Sequence, residues 1–110
     1  MDSITSSIMS AFYTHKEQKI RSICTIIKGN VTYLYIFDKV LIAQSIKGEK
    51  FISITDGGWQ SDVAKRLLDA ILIKTNSKII MKNGVWYLKN IKTNALIKMS
   101  LNSWHNIPLI

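Results

Sequence analysis

The chain has 110 residues, 47% of them hydrophobic, and carries a formal net charge of +8. This length fits one domain and leaves no room for two, and so large a hydrophobic fraction argues against a disordered chain. Cys24 is the single cysteine, which excludes an intrachain disulfide and favours a reducing compartment. No uncharged apolar run approaches the ~20 residues that a membrane-spanning helix needs, and no signal peptide is evident. We therefore expect a single domain over residues 1–110, in the cytoplasm and not bound to a membrane.

The positive charge is concentrated in the C-terminal part of the sequence. Residues 1–69 contain nine Lys or Arg and all seven acidic residues, whereas residues 70–110 contain six Lys and no Asp or Glu. This asymmetry favours a polyanionic partner, either a nucleic acid or an anionic surface. The alternative is a solvated sheet face whose Lys side chains only keep the chain soluble.

The N-terminal half predicts one helix and a strand meander. Residues 2–18 repeat apolar side chains at helical spacing, and Asp2 or Ser3 is a suitable N-cap. Tight turns are expected at Gly29-Asn30, at Asp38-Lys39 and over residues 47–50. Loops this short force neighbouring strands to run antiparallel. The predicted strands cover residues 20–28, 31–37, 40–46 and 51–55.

A second helix is predicted over residues 62–73, directly after the turn DGGWQS at residues 56–61. Ser61 is a good N-cap, and the spacing of Asp62 and Asp69 from Lys65 and Arg66 permits ion pairs. The apolar residues of this helix form one stripe that we expect to face the core. The stripe consists of Val63, Ala64, Leu67, Leu68 and Ile71.

The remaining residues predict further strands. Residues 78–82 and 85–89 flank Asn83-Gly84, the strongest two-residue hairpin signal in the chain. Residues 95–99 would pair with them, and the tail over residues 103–110 would add a short edge strand. The expected fold class is α+β and mainly antiparallel sheet: an N-terminal helix, a four-strand meander, a central helix and three or four further strands.

The C-terminal strands carry the candidate binding residues. In the strand 85–89, Trp86 and Leu88 should point into the core, which leaves Tyr87 exposed beside Lys89. An exposed aromatic ring among lysines suits single-stranded nucleic acid. Tyr33, Tyr35 and Phe37 alternate in the same way on another strand, where core packing is the alternative. The candidate binding residues are Lys74, Lys78, Lys82, Tyr87, Lys89, Lys92 and Lys98.

A second candidate is the turn before the central helix. Backbone N–H groups near Gly57, Gly58 and Ser61 would suit an anion at the helix N-terminus. The alternative is a tight connection from strand to helix that needs positive φ, with Trp59 filling the core beneath the helix.

No catalytic or metal-binding pattern is present. His15, Cys24 and His105 match no zinc spacing, and the acidic residues of the central helix are explained by their basic neighbours. Nothing resembles a catalytic triad. We expect a protein that is not an enzyme and that uses no metal and no small-molecule cofactor.

Three segments carry a family resemblance: LIAQSIKGEKFISITDGGWQSDVAKRLLDAIL, MKNGVWYL and SWHNIPLI. In order and content they resemble a group of small bacteriophage proteins of unassigned function, over roughly residues 20–110. The chain departs from that pattern with Ala64 in place of Thr and Asp69 in place of Asn. The resemblance implies a phage origin and a host-cytoplasmic location, and it carries no activity. The matching positions are Ile42, Ala43, Gly58, Trp59, Ser61, Lys65, Leu67, Gly84, Trp86, Tyr87 and Trp104.

Two functions remain open from the sequence. One is binding of a nucleic acid, or of a complex that handles nucleic acid, through the basic C-terminal half. The other is a phage accessory protein that inhibits a host protein or defence system by protein–protein binding. The oligomeric state is open.

Overall fold

The structure is a computed structural model that describes residues 2–110. Within that range the chain forms two α-helices, α1 (Ser3–Tyr13) and α2 (Asp62–Ile71), and nine strands. The strands are β1 (Gln18–Ile20), β2 (Ile23–Lys28), β3 (Val31–Ile36), β4 (Val40–Ile46), β5 (Phe51–Ile54), β6 (Ser77–Lys82), β7 (Val85–Asn90), β8 (Leu96–Lys98) and β9 (His105–Pro108).

The strands form two antiparallel sheets. The larger has the order β1-β2-β3-β4-β5-β9, and the smaller has the order β6-β7-β8. The predicted meander is confirmed, and the tail forms an edge strand that pairs with β5 of the meander. The expected α+β class, with an N-terminal helix and mainly antiparallel sheet, is therefore confirmed.

Helix α1 is shorter than predicted. The Asp2 carboxylate accepts a hydrogen bond from the Thr5 N–H at 2.7 Å, which confirms Asp2 as the N-cap. The helix ends at Tyr13 because His15 takes a positive φ of 55° and the Lys16 N–H closes onto the carbonyl of Ala11 at 2.9 Å. A helix to residue 18 was therefore wrong, and β1 begins there instead.

Two predicted boundaries in the meander are also wrong. The expected strand over residues 20–28 is two strands, β1 and β2, because Arg21 adopts a φ of 56° and reverses the chain. The turn after β3 begins at Phe37, which has a φ of 52°, so Phe37 leaves the strand. Neither the turn at Arg21 nor the turn at Phe37 begins with a glycine, so the sequence contains no strong turn signal at either position.

Helix α2 packs its predicted stripe into the core. The Ser61 hydroxyl accepts from the Ala64 N–H at 3.1 Å, and Lys65 forms an ion pair with Asp69 at 2.8 Å. The α-helix ends at Ile71 and continues as a 3₁₀ turn, Leu72–Lys74. Val63 is half-buried against the core, and the fully buried stripe residues are Ala64, Leu67, Leu68 and Ile71.

A single cluster of buried apolar side chains joins both helices to both sheets. Phe12 of α1, Leu34 of β3 and Ile52 of β5 belong to it, together with Trp86 and Leu88 of β7. The smaller sheet is thus fixed to the rest of the fold by one of its faces. The other face of that sheet lies away from the core.

Trp59 does not lie in the core. Its side chain is 63% exposed and stacks on Phe37, with ring centroids 5.4 Å apart. The expectation that Trp59 fills the core beneath α2 is therefore wrong. Within the described residues, no helix is long and apolar enough to cross a membrane.

Candidate nucleic-acid interface

The smaller sheet places its buried apolar residues and its lysines on opposite faces. In β7, Trp86 and Leu88 are buried at 2% and 6% exposure, so Val85, Tyr87 and Lys89 point to the opposite face. The hairpin at Asn83-Gly84 holds this register, with φ of 53° and 75° as a type I′ turn requires. The predicted turn and the predicted inward direction of Trp86 are confirmed.

The strand pairing gathers four lysines on that opposite face. Lys82 lies opposite Val85, and Lys78 lies opposite Lys89. On the other side of β7, Lys98 lies opposite Tyr87. Directly paired residues project from the same face of an antiparallel sheet. We call the surface formed by Lys78, Lys82, Tyr87, Lys89 and Lys98 the basic face.

Apolar side chains complete the basic face. Ile80 is paired with Tyr87, and Leu96 is paired with Lys89. With Val85 they lie on the same face as the half-buried Tyr87, so apolar and cationic side chains are interspersed there. These three residues were not singled out from the sequence, although their alternation with lysine along each strand is the signal that would have found them.

The lysines of the basic face have no acidic partner among residues 2–110. The ion pairs of the described chain are Lys19–Asp38 at 3.2 Å and Lys65–Asp69 at 2.8 Å, and neither involves this face. Asp56 is buried, and one of its oxygens accepts from the N–H groups of Gly58 and Asn102. The charge of the face is therefore not neutralised from within the protein.

Two of the predicted lysines lie elsewhere. Lys74 is at the end of the 3₁₀ turn, where its Nζ lies 4.6 Å from the centroid of the Tyr13 ring. Burial raises the pKa of Tyr13, whose hydroxyl donates to the carbonyl of Ile71 at 2.6 Å. Lys92 lies in the turn between β7 and β8, where its N–H donates to the side chain of Asn90. Neither belongs to the basic face.

The other aromatic candidates, Tyr33, Tyr35 and Phe37, do not share one surface in the structure. Tyr33 and Tyr35 share the face of β3 that points away from the core, with ring centroids 6.4 Å apart. Phe37 has left that face and stacks on Trp59. The two tyrosines are half-buried beside Cys24, whose pKa is raised by burial.

The glycine turn does not offer its N–H groups to a ligand. The Gly58 N–H donates to the Asp56 carboxylate at 2.7 Å, and the Gly57 N–H faces the Thr55 hydroxyl at 3.4 Å. The Ser61 hydroxyl is used as the helix cap. The turn thus binds the carboxylate of its own chain, and an anion at Gly57, Gly58 and Ser61 would have to compete with Asp56 and Thr55 for these N–H groups.

The histidines and the cysteine have separate partners. His15 Nδ1 lies 2.7 Å from the Thr32 hydroxyl, and His105 Nε2 lies 2.9 Å from the Ser103 hydroxyl. In the part of the chain that the structure describes, no three His, Cys, Asp or Glu side chains come together as metal ligands would.

Comparison with known proteins identifies a family. A family model described as Kyanoviridae Gp96 protein matches residues 1–106, a segment that contains the entire basic face. Comparisons with curated proteins and with solved structures give no match. The expected resemblance to small bacteriophage proteins is confirmed. The chain is therefore a phage protein and belongs to the Kyanoviridae Gp96 protein family.

Proposed function

We propose that this phage protein binds single-stranded nucleic acid across the basic face. The observation that carries the proposal is the direct pairing of Lys78 with Lys89. Side chains paired in this way start about 5 Å apart, and like charges at that distance destabilise a sheet. A phosphate backbone lying across the face supplies the missing counter-charge.

The centre of the basic face suits bases rather than phosphates. Tyr87 lies between Ile80 and Lys98 on the neighbouring strands. A base stacked on an aromatic ring contributes roughly 1–3 kcal/mol, and stacking of this kind tolerates any sequence. The arrangement of ring and lysines therefore favours binding with little sequence preference.

The proposed function is not enzymatic. Asp69 and His105 have structural partners, and one oxygen of the buried Asp56 accepts from Gly58 and Asn102, whereas its Oδ2 has no partner among the described residues. We expect a labelled oligonucleotide incubated with the protein to be recovered uncleaved.

A host protein is the second candidate target. Large apolar side chains are exposed near the smaller sheet, including Ile97, Leu101 and Trp104. Exposed apolar anchors of this kind are typical of protein interfaces. Under this alternative, Trp104→Ala would abolish capture of the host target and leave nucleic-acid binding unchanged.

The direct test is a titration of fluorescent single-stranded DNA and RNA. Replacing Lys82 and Lys89 together by Ala should weaken binding strongly, because both residues belong to the basic face. The matched control replaces Lys28, at the end of β2, and Lys47, in the turn after β4; both are exposed, and the change removes the same charge. Equal losses in the two variants would mean that net charge, and not the basic face, governs binding.

A further inference from the structure

The chain contains two arginines among its fifteen basic residues, and both line the same cavity. Arg21 is at the turn between β1 and β2, and Arg66 is on α2. The cavity has a volume of about 470 Å³, within the range of small-molecule sites. Most basic residues of this chain are Lys, yet the two that line this cavity are both Arg, although they are distant in sequence. This indicates that the cavity uses the planar guanidinium group and not positive charge alone.

Neither arginine forms an ion pair within residues 2–110. Asp38 pairs with Lys19 and Asp69 pairs with Lys65, whereas Asp62, one helical turn before Arg66, forms no ion pair among the described residues. Asp2 lines the cavity too: its carboxylate accepts from both the N–H and the hydroxyl of Thr5, and these bonds, with a smaller attraction from Arg66, lower its pKa. Among residues 2–110, neither guanidinium group therefore has a carboxylate within ion-pair distance, and Asp2 is the acidic residue that lines the cavity.

The backbone of the Arg21 turn is held in place by its own geometry and by a hydrogen bond. Arg21 adopts a φ of 56°, a conformation that side-chain-bearing residues rarely take. The carbonyl of Ser22, the next residue, accepts a hydrogen bond from the Asp38 N–H at 2.9 Å. This bond connects the Arg21 turn to the turn after β3. The backbone that carries Arg21 is thus held at the mouth of the cavity.

The rest of the wall is apolar and partly aromatic. Ile23, Val63 and Leu67 line the cavity, and Phe37 presents an aromatic ring whose position is set by stacking on Trp59. The first turn of α1 also lines the cavity, and the Asp2 carboxylate caps the N-terminus of that helix. Guanidinium groups bind carboxylate or phosphate in a bidentate manner, and an aromatic wall favours a flat ring.

We propose that this cavity binds a small organic anion: a flat ring that carries a phosphate or carboxylate group. Arg21 and Arg66 hold the anionic group, and the ring lies against Phe37 and the apolar wall. The site uses none of the residues of the basic face. The proposed binding of a small anion in the cavity is therefore independent of the proposed nucleic-acid binding.

Calorimetric titration of the full chain tests the proposal with defined probes. Phenyl phosphate and benzoate carry both features, inorganic phosphate and acetate lack the ring, and benzyl alcohol lacks the charge. We expect a ring anion to bind at least about tenfold more tightly than the probes that lack one feature. The comparison of phenyl phosphate with benzoate identifies the preferred anionic group.

Two conservative variants separate a guanidinium site from general positive charge. Arg21→Lys and Arg66→Lys keep the charge and remove the planar fork, and each should weaken binding roughly tenfold. Lys39→Ala, a change at an exposed residue that does not line the cavity, should leave binding unchanged. Absence of saturable binding at millimolar concentration, or equal binding by the Arg→Lys variants and the unaltered protein, would overturn the proposal.

Discussion

Gly57 lies at the exit of β5 with a φ of 74°, and a Cβ atom at this position would collide with Cγ1 of Val40. Gly29 has a similar φ of 61° but no heavy atom within 4 Å of such a Cβ. Substitution by alanine would therefore strain the backbone at both positions, but it would cause a steric clash only at Gly57.

We expect Gly57→Ala to destabilise the protein by about 1–3 kcal/mol more than Gly29→Ala, because overpacking adds to the strain. Denaturant midpoints of the two variants measure the difference. Equal losses would mean that Val40 moves aside at no cost.

His105 makes stability depend on pH. Burial lowers the pKa of its imidazole from the ordinary value of 6.5, and the Asp56 carboxylate opposes that shift. The unfolded chain then binds a proton more readily than the folded chain, so stability is complete above pH 6.5 and falls as the pH drops below it.

The variant His105→Asn should reduce this loss of stability on acidification, since the amide keeps a polar group beside Ser103 and does not titrate. Unfolding midpoints above and below pH 6.5 test the expectation. An unchanged pH dependence would assign the effect to other groups.

The positions of individual side chains were harder to predict from the sequence than the helices and strands were. Trp59 follows two glycines and precedes a helix, a context that suits a core residue, yet its indole is exposed on Phe37. Arg21 occupies a conformation that glycine or asparagine would normally mark. The cavity between α1, α2 and this turn was missed for the same reason, because it depends on contacts between distant segments.

Helix α2 provides a prediction at the level of elements. Leu67 lies in the buried stripe, whereas Ile73, in the 3₁₀ turn that follows, is 62% exposed. Leu67→Ala should lower the free energy of unfolding by roughly 2–5 kcal/mol, as truncation of buried leucines does. Ile73→Ala is the control and should change it by less than about 0.5 kcal/mol. Similar losses in both would show that the stripe is not the stabilising face.

The smaller sheet provides a second prediction, in which stability and binding change in opposite directions. Lys78→Glu replaces a like-charge pair with Lys89 by an attractive one, so it should stabilise the fold by roughly 0.2–1 kcal/mol. The same change should weaken nucleic-acid binding, because it places a carboxylate in the basic face. Thermal unfolding and the oligonucleotide titration measure the two effects. A variant that is more stable and binds equally well would exclude Lys78 from the interface.

Elements with strong local signals were predictable from the sequence. Asn83-Gly84 fixed the β6–β7 hairpin, and with it the register that places Lys82 and Tyr87 on one face. The stripe of α2 and its Ser61 cap were equally clear. The division between β1 and β2 was not, because the apolar sequence continues across the turn at Arg21.

At the scale of the whole molecule, the sequence pattern indicated strands without indicating two sheets. The C-terminal strand β9 pairs with β5 of the larger sheet. In sequence order, the three strands of the smaller sheet therefore lie between two neighbouring strands of the larger one. Such long-range pairing has no local signal. The charge asymmetry was visible from the start, and the sheet arrangement explains how it becomes a surface: Ile79, Trp86 and Leu88 bury one face of the smaller sheet against the core, and four lysines lie on the other face.

The central claim is that this basic face binds single-stranded nucleic acid, and the salt dependence of binding tests it most directly. Each phosphate contact to a single strand contributes about 0.7 to the slope of log K against log salt, so the four lysines of the face predict a slope of about −2.8. The joint variant Lys82→Ala, Lys89→Ala should bind more weakly, with a slope shallower by up to about 1.4. No measurable binding by the unaltered protein at low salt, or an unchanged slope in the joint variant, would contradict the claim.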